Sequence, residues 1–450
     1  MKKPIWKITA AALFAAVVCF TAYFLISGYI NGLPKIQYDM YGGAVSPSYP
    51  DVSFAVMSDL HFYDASLGTS GAAFEEVLYS DRKLLVESEE LLDFAISGLL
   101  ESDARFVLVS GDLTKDGELI NHRRMAQKLQ VLTDNGIKVC VVPGNHDVNN
   151  HNAVRFEGGG AYPVENVSAA EFAEIYAGAG YGDAVSRHGD SLSYVSEPVP
   201  GLWILAIDAC RYNENSPDGV GSVIPGRVSQ ELADWMSGVL KDSVAQNKAV
   251  IALMHHGAVE HWEGQAKLHP NYIVEDHKYF GEFLASYGVR MVFTGHYHAQ
   301  SVVRSDFGDK FIYDAETGSL LTYPCPIRYC GISGNTFTAA SDMLGVKLRP
   351  GTDFAQNAKA FVKQTVMFEA LDTLYKYKVS QKDAEYIADA VGDAFAAHYD
   401  GDADTAARPA FDAGRLGLWG RIVYQMQKYV LDGLWNDLPP ADNDVSFSLS

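Results

Sequence analysis

Cysteine is scarce in this chain of 450 residues, with five thiols, and tryptophan nearly as rare, with six. Five thiols exclude a scaffold built on disulfides at this length. Cys19 lies in an apolar stretch, and Cys140 and Cys210 end or follow apolar runs and read as buried thiols. Cys325 and Cys330, on either side of Pro326, are the one spacing at which pairing outside the cell stays open. Positive charge is also in short supply, since 35 Lys and Arg stand against 56 Asp and Glu for a formal charge of −21. A field of that sign repels polyphosphate backbones and argues against a nucleic-acid polymer as partner. Internal repeats are missing, and the glycine run Gly158–Gly160 has no Gly-Lys-Ser/Thr behind it, which excludes a nucleotide P-loop. What is present is a globular composition, 48% hydrophobic and 12% aromatic. Disorder is thereby excluded, and the length accommodates one large domain and a smaller one.

The N-terminus departs from the rest. From Ile8 to Pro34 there is no charge, and Ala10–Ile30 is strongly apolar, long enough to span a membrane as a helix. No small-x-small cleavage site follows it. Lys2, Lys3 and Lys7 precede the span, so the positive-inside rule leaves the stub cytoplasmic and places the remainder outside the cell as a single-pass membrane protein. Residues 1–35 are expected to be this stub and anchor, and 36–51 a linker. Without the four lysines of that segment, the remaining 31 basic residues face all 56 acids and the charge deepens to −25.

Beyond the linker, short apolar β-branched runs alternate with helix-like segments. The expected strands are Val52–Met57, Phe106–Val109, Lys138–Val142, Leu202–Ile207, Ala249–Met254 and Val289–Phe293, with a hairpin at Ser301–Arg304 and Lys310–Tyr313. Between them, Leu85–Leu100, Leu119–Leu132, Ser229–Val244 and Tyr279–Tyr287 carry apolar residues three and four apart, as amphipathic helices do. This alternation predicts an α/β fold whose sheets are covered by helices. From 346 to 450 strand signals stop, and Phe354–Tyr377, Ser380–Tyr399 and Ala410–Leu434 read as a small all-α domain whose Trp419 and Trp435 belong in its core. Ser380 with Asp383 marks a helix start there, and Gly401 a helix end.

The chemistry-bearing residues sit where apolar strands stop. Asp59 and His61 follow the first strand; Asp112 follows the second; Asn145, His146 and Asp147 follow the third. His255 and His256 follow Ala249–Met254, and His296 and His298 follow Val289–Phe293. In α/β sheets ligands bind beyond the carboxyl ends of strands, so these ends can converge on one site. Asp59/His61 and His296/His298 are i, i+2 pairs, which share a side of an extended chain. Imidazole and carboxylate suit Mn, Fe or Zn, and a carboxylate can bridge two such ions that clamp a phosphoryl group. Gly111, Gly144 and Gly295 let the backbone turn beside them.

In this order, Asp59-x-His61, Gly111-Asp112, Gly144-Asn145-His146-Asp147, His255 and Gly295-His296-x-His298 resemble the calcineurin-like metallophosphoesterase family over roughly residues 52–340. The resemblance implies a four-layer α/β/β/α sandwich over 52–345 with a dinuclear metal centre. It further implies that Asp59, His61 and His298 hold one metal, that Asn145, His255 and His296 hold the other, and that Asp112 bridges them. His146 would stay off the metals and act on substrate. Gly-Asp-Leu-Thr, Met-His-His and the Leu-Pro-Pro near the C-terminus resemble, more loosely, a bacterial branch of cyclic-nucleotide phosphodiesterase type.

The implied function is hydrolysis of a small phosphodiester, with His146 protonating the leaving oxygen and Asp147 either orienting His146 or fixing its loop. A phosphomonoesterase and a non-catalytic surface binding module on the same fold are the alternatives. Asn145, His256, Asn150 and Arg155 are candidate substrate contacts, His255 being preferred over His256 as ligand because it leaves the strand first. One departure stands out: where many phosphatases of the family carry Gly-Asp-x-x-Asp-Arg-Gly, with the second Asp supporting the catalytic His, this chain has Lys115, and Asp116 comes one residue late. That argues against protein-phosphatase activity. No protein partner is implied.

Overall fold

The computed structural model describes residues 36–450. The expected span Ala10–Ile30, its flanking Lys2, Lys3 and Lys7, and Cys19 lie outside the described residues. Among the described residues, no helix is long and apolar enough to cross a membrane.

Two mixed sheets form the body. In the six-stranded sheet the order is Asp444–Ser448, Thr336–Met343, Pro326–Ser333, Val52–Met57, Phe106–Val109, Lys138–Val141. The last three run parallel, with Ala55 opposite Val107 and Phe106 opposite Lys138. The seven-stranded sheet runs Ser301–Phe307, Lys310–Glu316, Met291–Thr294, Ala249–Met254, Leu202–Ile207, Tyr194–Val199, Ser186–Arg187. Its four central strands are parallel. Leu202–Ile207 and Ala249–Met254 are buried along their whole length, which is why they are apolar at every position rather than at alternate ones. The sheets face each other through aromatics: Phe54 stacks on Phe106 at 4.8 Å and meets Phe293 of the other sheet edge-on at 5.6 Å.

Helices follow their local signals. Gln230–Ala245 starts where the Ser229 hydroxyl accepts the Leu232 N–H, and it buries Leu232, Met236, Val239 and Leu240, three and four apart. Ser380 caps Gln381–Asp400 in the same way, as the sequence predicts. The C-terminal region contains Phe354–Lys376, Gln381–Asp400 and Leu418–Leu434. Its apolar core takes in Trp262 and Tyr297 from the sheet body together with Val362, Ile387, Leu431 and Trp435.

Some expectations are corrected. The region beyond 346 is not free of strands, because Asp444–Ser448 returns to pair with Thr336–Met343 on the edge of the first sheet. Trp435 is buried, but Trp419 is half exposed and donates its indole N–H to the Tyr377 carbonyl at 2.9 Å. Cys325 and Cys330 are both free, buried thiols and do not pair.

Candidate dinuclear metal centre

The strand ends converge as the α/β pattern predicts, but not through extended backbone. Asp59, His61, Asp112, His296 and His298 all have positive φ, between 37° and 76°, a region that side-chain-bearing residues rarely enter. The i, i+2 pairs therefore meet across tight left-handed turns and not along a straight strand. Backbone held this way costs of order 1–3 kcal/mol per residue and clusters where function requires it. The turns close because the glycines beside them carry no side chain. A Cβ on Gly144 would lie 2.0 Å from the Asp112 carboxylate, and one on Gly295 would lie 1.9 Å from the Ser58 hydroxyl.

Two buried donor groups result. Asp59, His61 and His298 bring ligand atoms together in one; Asp112, His255 and His296 do so in the other. Asp112 joins them, since its Oδ2 lies 3.6 Å from His61 Nε2 and 3.4 Å from His255 Nε2. His61 Nε2 and His298 Nε2 approach to 3.2 Å, and His298 Nε2 lies 3.2 Å from Asp59 Oδ1. Asn145 Oδ1 joins the second group at 3.3 Å from His255 Nε2. Several of the ligands are aimed by a further contact. The His255 Nδ1–H donates to the Ser110 carbonyl at 2.8 Å, His298 Nδ1 meets Thr322 Oγ1 at 3.2 Å, and Asn145 Nδ2 donates to Ser222 Oγ at 3.3 Å. Asp59 Oδ2 accepts the Ser58 hydroxyl at 2.6 Å and the His296 N–H at 2.9 Å.

These groups fit cations. Asp59 Oδ1 is fully buried and makes no completed hydrogen bond, the His298 ring nitrogen lying 3.2 Å away, a costly arrangement for a carboxylate oxygen unless a positive ion satisfies it. Burial holds His61 and His296 well below the usual histidine range, leaving the neutral imidazoles that metals bind. Burial also opposes charge on His255, but the Asp112 carboxylate overrides it and lifts the ring to about 9. The His255 proton thus stands where a cation would sit. Burial works against the Asp112 charge, and His255 and His146 outweigh it, holding the carboxyl well below its ordinary value.

Beside this cluster stands His146. Its backbone N–H donates to Asp112 Oδ1 at 2.9 Å, and its Nε2 lies 4.0 Å from Asp112 Oδ2, at the cluster and outside both donor groups. The other ring nitrogen, Nδ1, is 2.8 Å from Asp116 Oδ1. Burial opposes a charge on His146, yet Asp112 and Asp116 raise its proton affinity. Asp116 is itself fixed by Lys115 and by Asn150 Nδ2 at 3.3 Å.

Four sequence assignments change accordingly. Asp147 does not reach the His146 ring: Oδ1 accepts the Thr114 N–H and hydroxyl, Oδ2 accepts the Leu113 and Gly144 N–H groups, and these four donors leave it no further role. Of the two alternatives for Asp147, fixing its loop is the one the geometry selects, and Asp116 takes the orienting role. The lateness of Asp116 is therefore no bar to supporting the histidine, and the argument against protein-phosphatase activity drawn from Lys115 lapses. Asn150 is buried and holds the His146 carbonyl and Asp116 instead of facing substrate. His256 Nε2 is tied to the Ile224 carbonyl at 2.8 Å, and Arg155 lies on the exposed hairpin Val154–Glu157/Gly160–Pro163, paired with Glu157 and over the Tyr162 ring. Asp116, Ser58, Thr322 and Ser222 carry no motif that marks them in advance, save the displaced acid of the Gly-Asp-x-x-Asp pattern.

A direct check separates the two acids. Asp116→Asn is expected to slow turnover about 10- to 100-fold with the melting temperature kept, by loosening the histidine's orientation. Asp147→Asn sets an amide against four donors and is expected to cost about 2–4 kcal/mol of stability. Thermal unfolding beside turnover reads both, and the reverse pattern would return the catalytic role to Asp147.

Two sheets whose strand ends gather two linked His/Asp groups, with a histidine standing by, define a dinuclear metal hydrolase. The chain belongs to the calcineurin-like phosphoesterase family, whose model matches residues 52–300. Among solved structures it is similar to a dimetal phosphatase from Danio rerio, at 16% identity and TM-score 0.45 over 65% of this chain and 96% of that one. It is also similar to a purple acid phosphatase from yellow lupin seeds, at 11% identity and TM-score 0.41 over 66% of this chain and 52% of that one. No curated protein sequence matches the chain closely enough to count as a relative. The chain is a metal-dependent phosphoesterase with a dinuclear site.

Proposed function

We propose that this phosphoesterase is a phosphodiesterase for a small substrate of the cyclic-nucleotide kind, anchored in the membrane by Ala10–Ile30 with its site outside the cytoplasm. The observation that carries the catalytic part is Asp112 Oδ2 poised between His61 and His255, with His146 Nε2 facing it and His146 Nδ1 held by Asp116. Asp59, His61 and His298 would hold one cation, Asn145, His255 and His296 the other, and Asp112 both. Bound there, the cations supply Lewis-acid polarisation of the phosphoryl group and activation of the attacking water. The remaining work belongs to the chain. Asp116 fixes His146 so that Nε2 presents a proton to the leaving oxygen, and the Asp112 and Asp116 carboxylates raise the proton affinity of that ring against the opposing effects of burial and Lys83. Burial of Asp59, His61, Asp112 and His255 keeps bulk water away from the centre.

Preference for a diester follows from charge. A diester brings one negative charge toward a surface that is −25 over residues 36–450, whereas a monoester dianion is repelled more strongly. The test compares bis- and mono-nitrophenyl phosphate with Mn²⁺. The expected result is a kcat/KM at least about tenfold higher for the diester, some 1.4 kcal/mol; a monoester preference of that size would overturn the ranking.

A further inference from the structure

The helix Leu418–Leu434 carries more apolar surface than it buries. Val423, Tyr424, Leu431 and Leu434 face the helical core. Beside them Leu418, Ile422, Met426 and Tyr429, three or four residues apart in turn, share one side of the helix and stand in solvent, Leu418 at 78% and Met426 at 63% exposure. Half-exposed Trp419 lies in the same strip. A surface helix needs an apolar stripe on its core side only, so a second stripe turned outward has no part in holding this fold. The strip continues onto a neighbouring helix. Trp419 donates to the Tyr377 carbonyl at 2.9 Å, which sets the half-exposed Tyr375 and Tyr377, at the end of Phe354–Lys376, beside it. Apolar surface also runs inward from there, since Tyr377, Val423 and Val430 line a cleft of about 340 Å³ together with Leu374, Ile387 and Phe395.

The charges along the strip are of one sign. From Thr373 to Lys382 there are three lysines and no acid, and from Arg415 to Leu431 two arginines, one lysine and no acid, in a chain whose acids outnumber its bases. Asp383, the next acid, is buried, and its carboxylate accepts the Gly417 N–H. At the far end Lys267 lies over the Tyr429 ring at 5.4 Å. Lys376, Lys428 and Arg415 have Asp372, Asp432 and Asp412 within reach, while Lys267, Lys378, Lys382 and Arg421 meet no carboxylate among the described residues. Leu, Ile and Met edged by Trp, Tyr and basic side chains is the composition of a helix lying in the headgroup layer of a bilayer. Its apolar groups enter the acyl boundary, its indole and phenol rings settle among the headgroups, and its cations meet lipid phosphates.

We propose that this face, formed by Leu418, Trp419, Ile422, Met426 and Tyr429 with Tyr375 and Tyr377, docks on the surface of an anionic phospholipid bilayer. A protein of charge −25 over residues 36–450 is repelled by such a surface everywhere except through a basic patch, so the patch also selects which side approaches. The choice of a bilayer as partner leans on the anchor reading of Ala10–Ile30, which would keep the chain at one; the metal centre plays no part in it.

The test is the fluorescence of Trp419 in the full chain reconstituted with vesicles of phosphatidylcholine and phosphatidylglycerol whose acyl chains are brominated, taken as the difference between wild type and Trp419→Phe. The expected result is loss of about half of the Trp419 emission to the brominated chains, restored when Ile422→Glu and Met426→Glu are combined. A vesicle-bound chain whose Trp419 is untouched by bromine and open to acrylamide in the water overturns the inference and leaves the anchor standing. Shielding of Trp419 from both quenchers assigns the face to a protein surface, a second copy included, and overturns it as well. Quenching that high salt reverses by releasing the chain keeps the face and defeats the anchor; a chain that never sediments with the vesicles defeats both. If Trp419→Phe fails to fold, Met426→Trp supplies the difference signal from the same strip and is read by the same criteria.

Discussion

Asp112→Asn is expected to reduce hydrolysis at least about a thousandfold, roughly 4 kcal/mol, and to leave the folded protein with fewer than two metals per chain. The reason is that one oxygen serves both groups. Oδ2 lies 3.6 Å from His61 Nε2 and 3.4 Å from His255 Nε2, while Oδ1 is spent on the His146 N–H. An asparagine that keeps Oδ1 on that N–H must turn its NH₂ toward the two imidazoles. The amide has nearly the shape of the acid, so packing survives, but it removes the negative charge and offers hydrogens where lone pairs are needed. Metal analysis and circular dichroism on the same sample separate loss of the bridge from loss of the fold.

His146→Ala is expected to keep both metals and still lose about 10²–10⁴-fold in turnover of esters with poor leaving groups, the usual worth of a positioned proton donor. Its ring stands outside both donor groups, so metal binding should be indifferent to it. A nitrophenolate leaving group needs little protonation and should lose far less. The diagnostic is therefore the ratio between the two kinds of ester, measured at constant metal. Equal losses would mean that His146 positions substrate or stabilises charge and is not the acid.

How much of this the sequence revealed depended on burial and on distance along the chain. Val52–Met57, Phe106–Val109, Leu202–Ile207 and Ala249–Met254 have the boundaries expected from the sequence, because strands buried on both faces must be apolar throughout. Thr336–Met343 and Asp444–Ser448 escape notice because each alternates buried with exposed positions and contains Ser, Thr or Asp at half of them or more. The ligand residues are legible because Asp, Asn or His stands just past each apolar run, with glycine directly before Asp112, Asn145 and His296. Asp147 stays open between two roles in the sequence for a local reason: being next to His146 in the chain suggests contact, whereas a turn sends adjacent side chains apart, and its oxygens go to the loop at Leu113 and Thr114. Asp116 reaches His146 from 30 residues away. Tyr297 shows the same limit from the other side: sequence places it between two ligands, and the fold alone shows it packed into the helical core.

That a dinuclear site hydrolyses phosphoesters is tested most directly by measuring metal content and bis-nitrophenyl phosphate turnover on one purified sample of the full chain. The expected result is about two transition-metal ions per chain, turnover that disappears on chelation, and its return when Mn²⁺ is added back. A correctly folded chain that takes up no metal and hydrolyses neither the diester nor the monoester would contradict it.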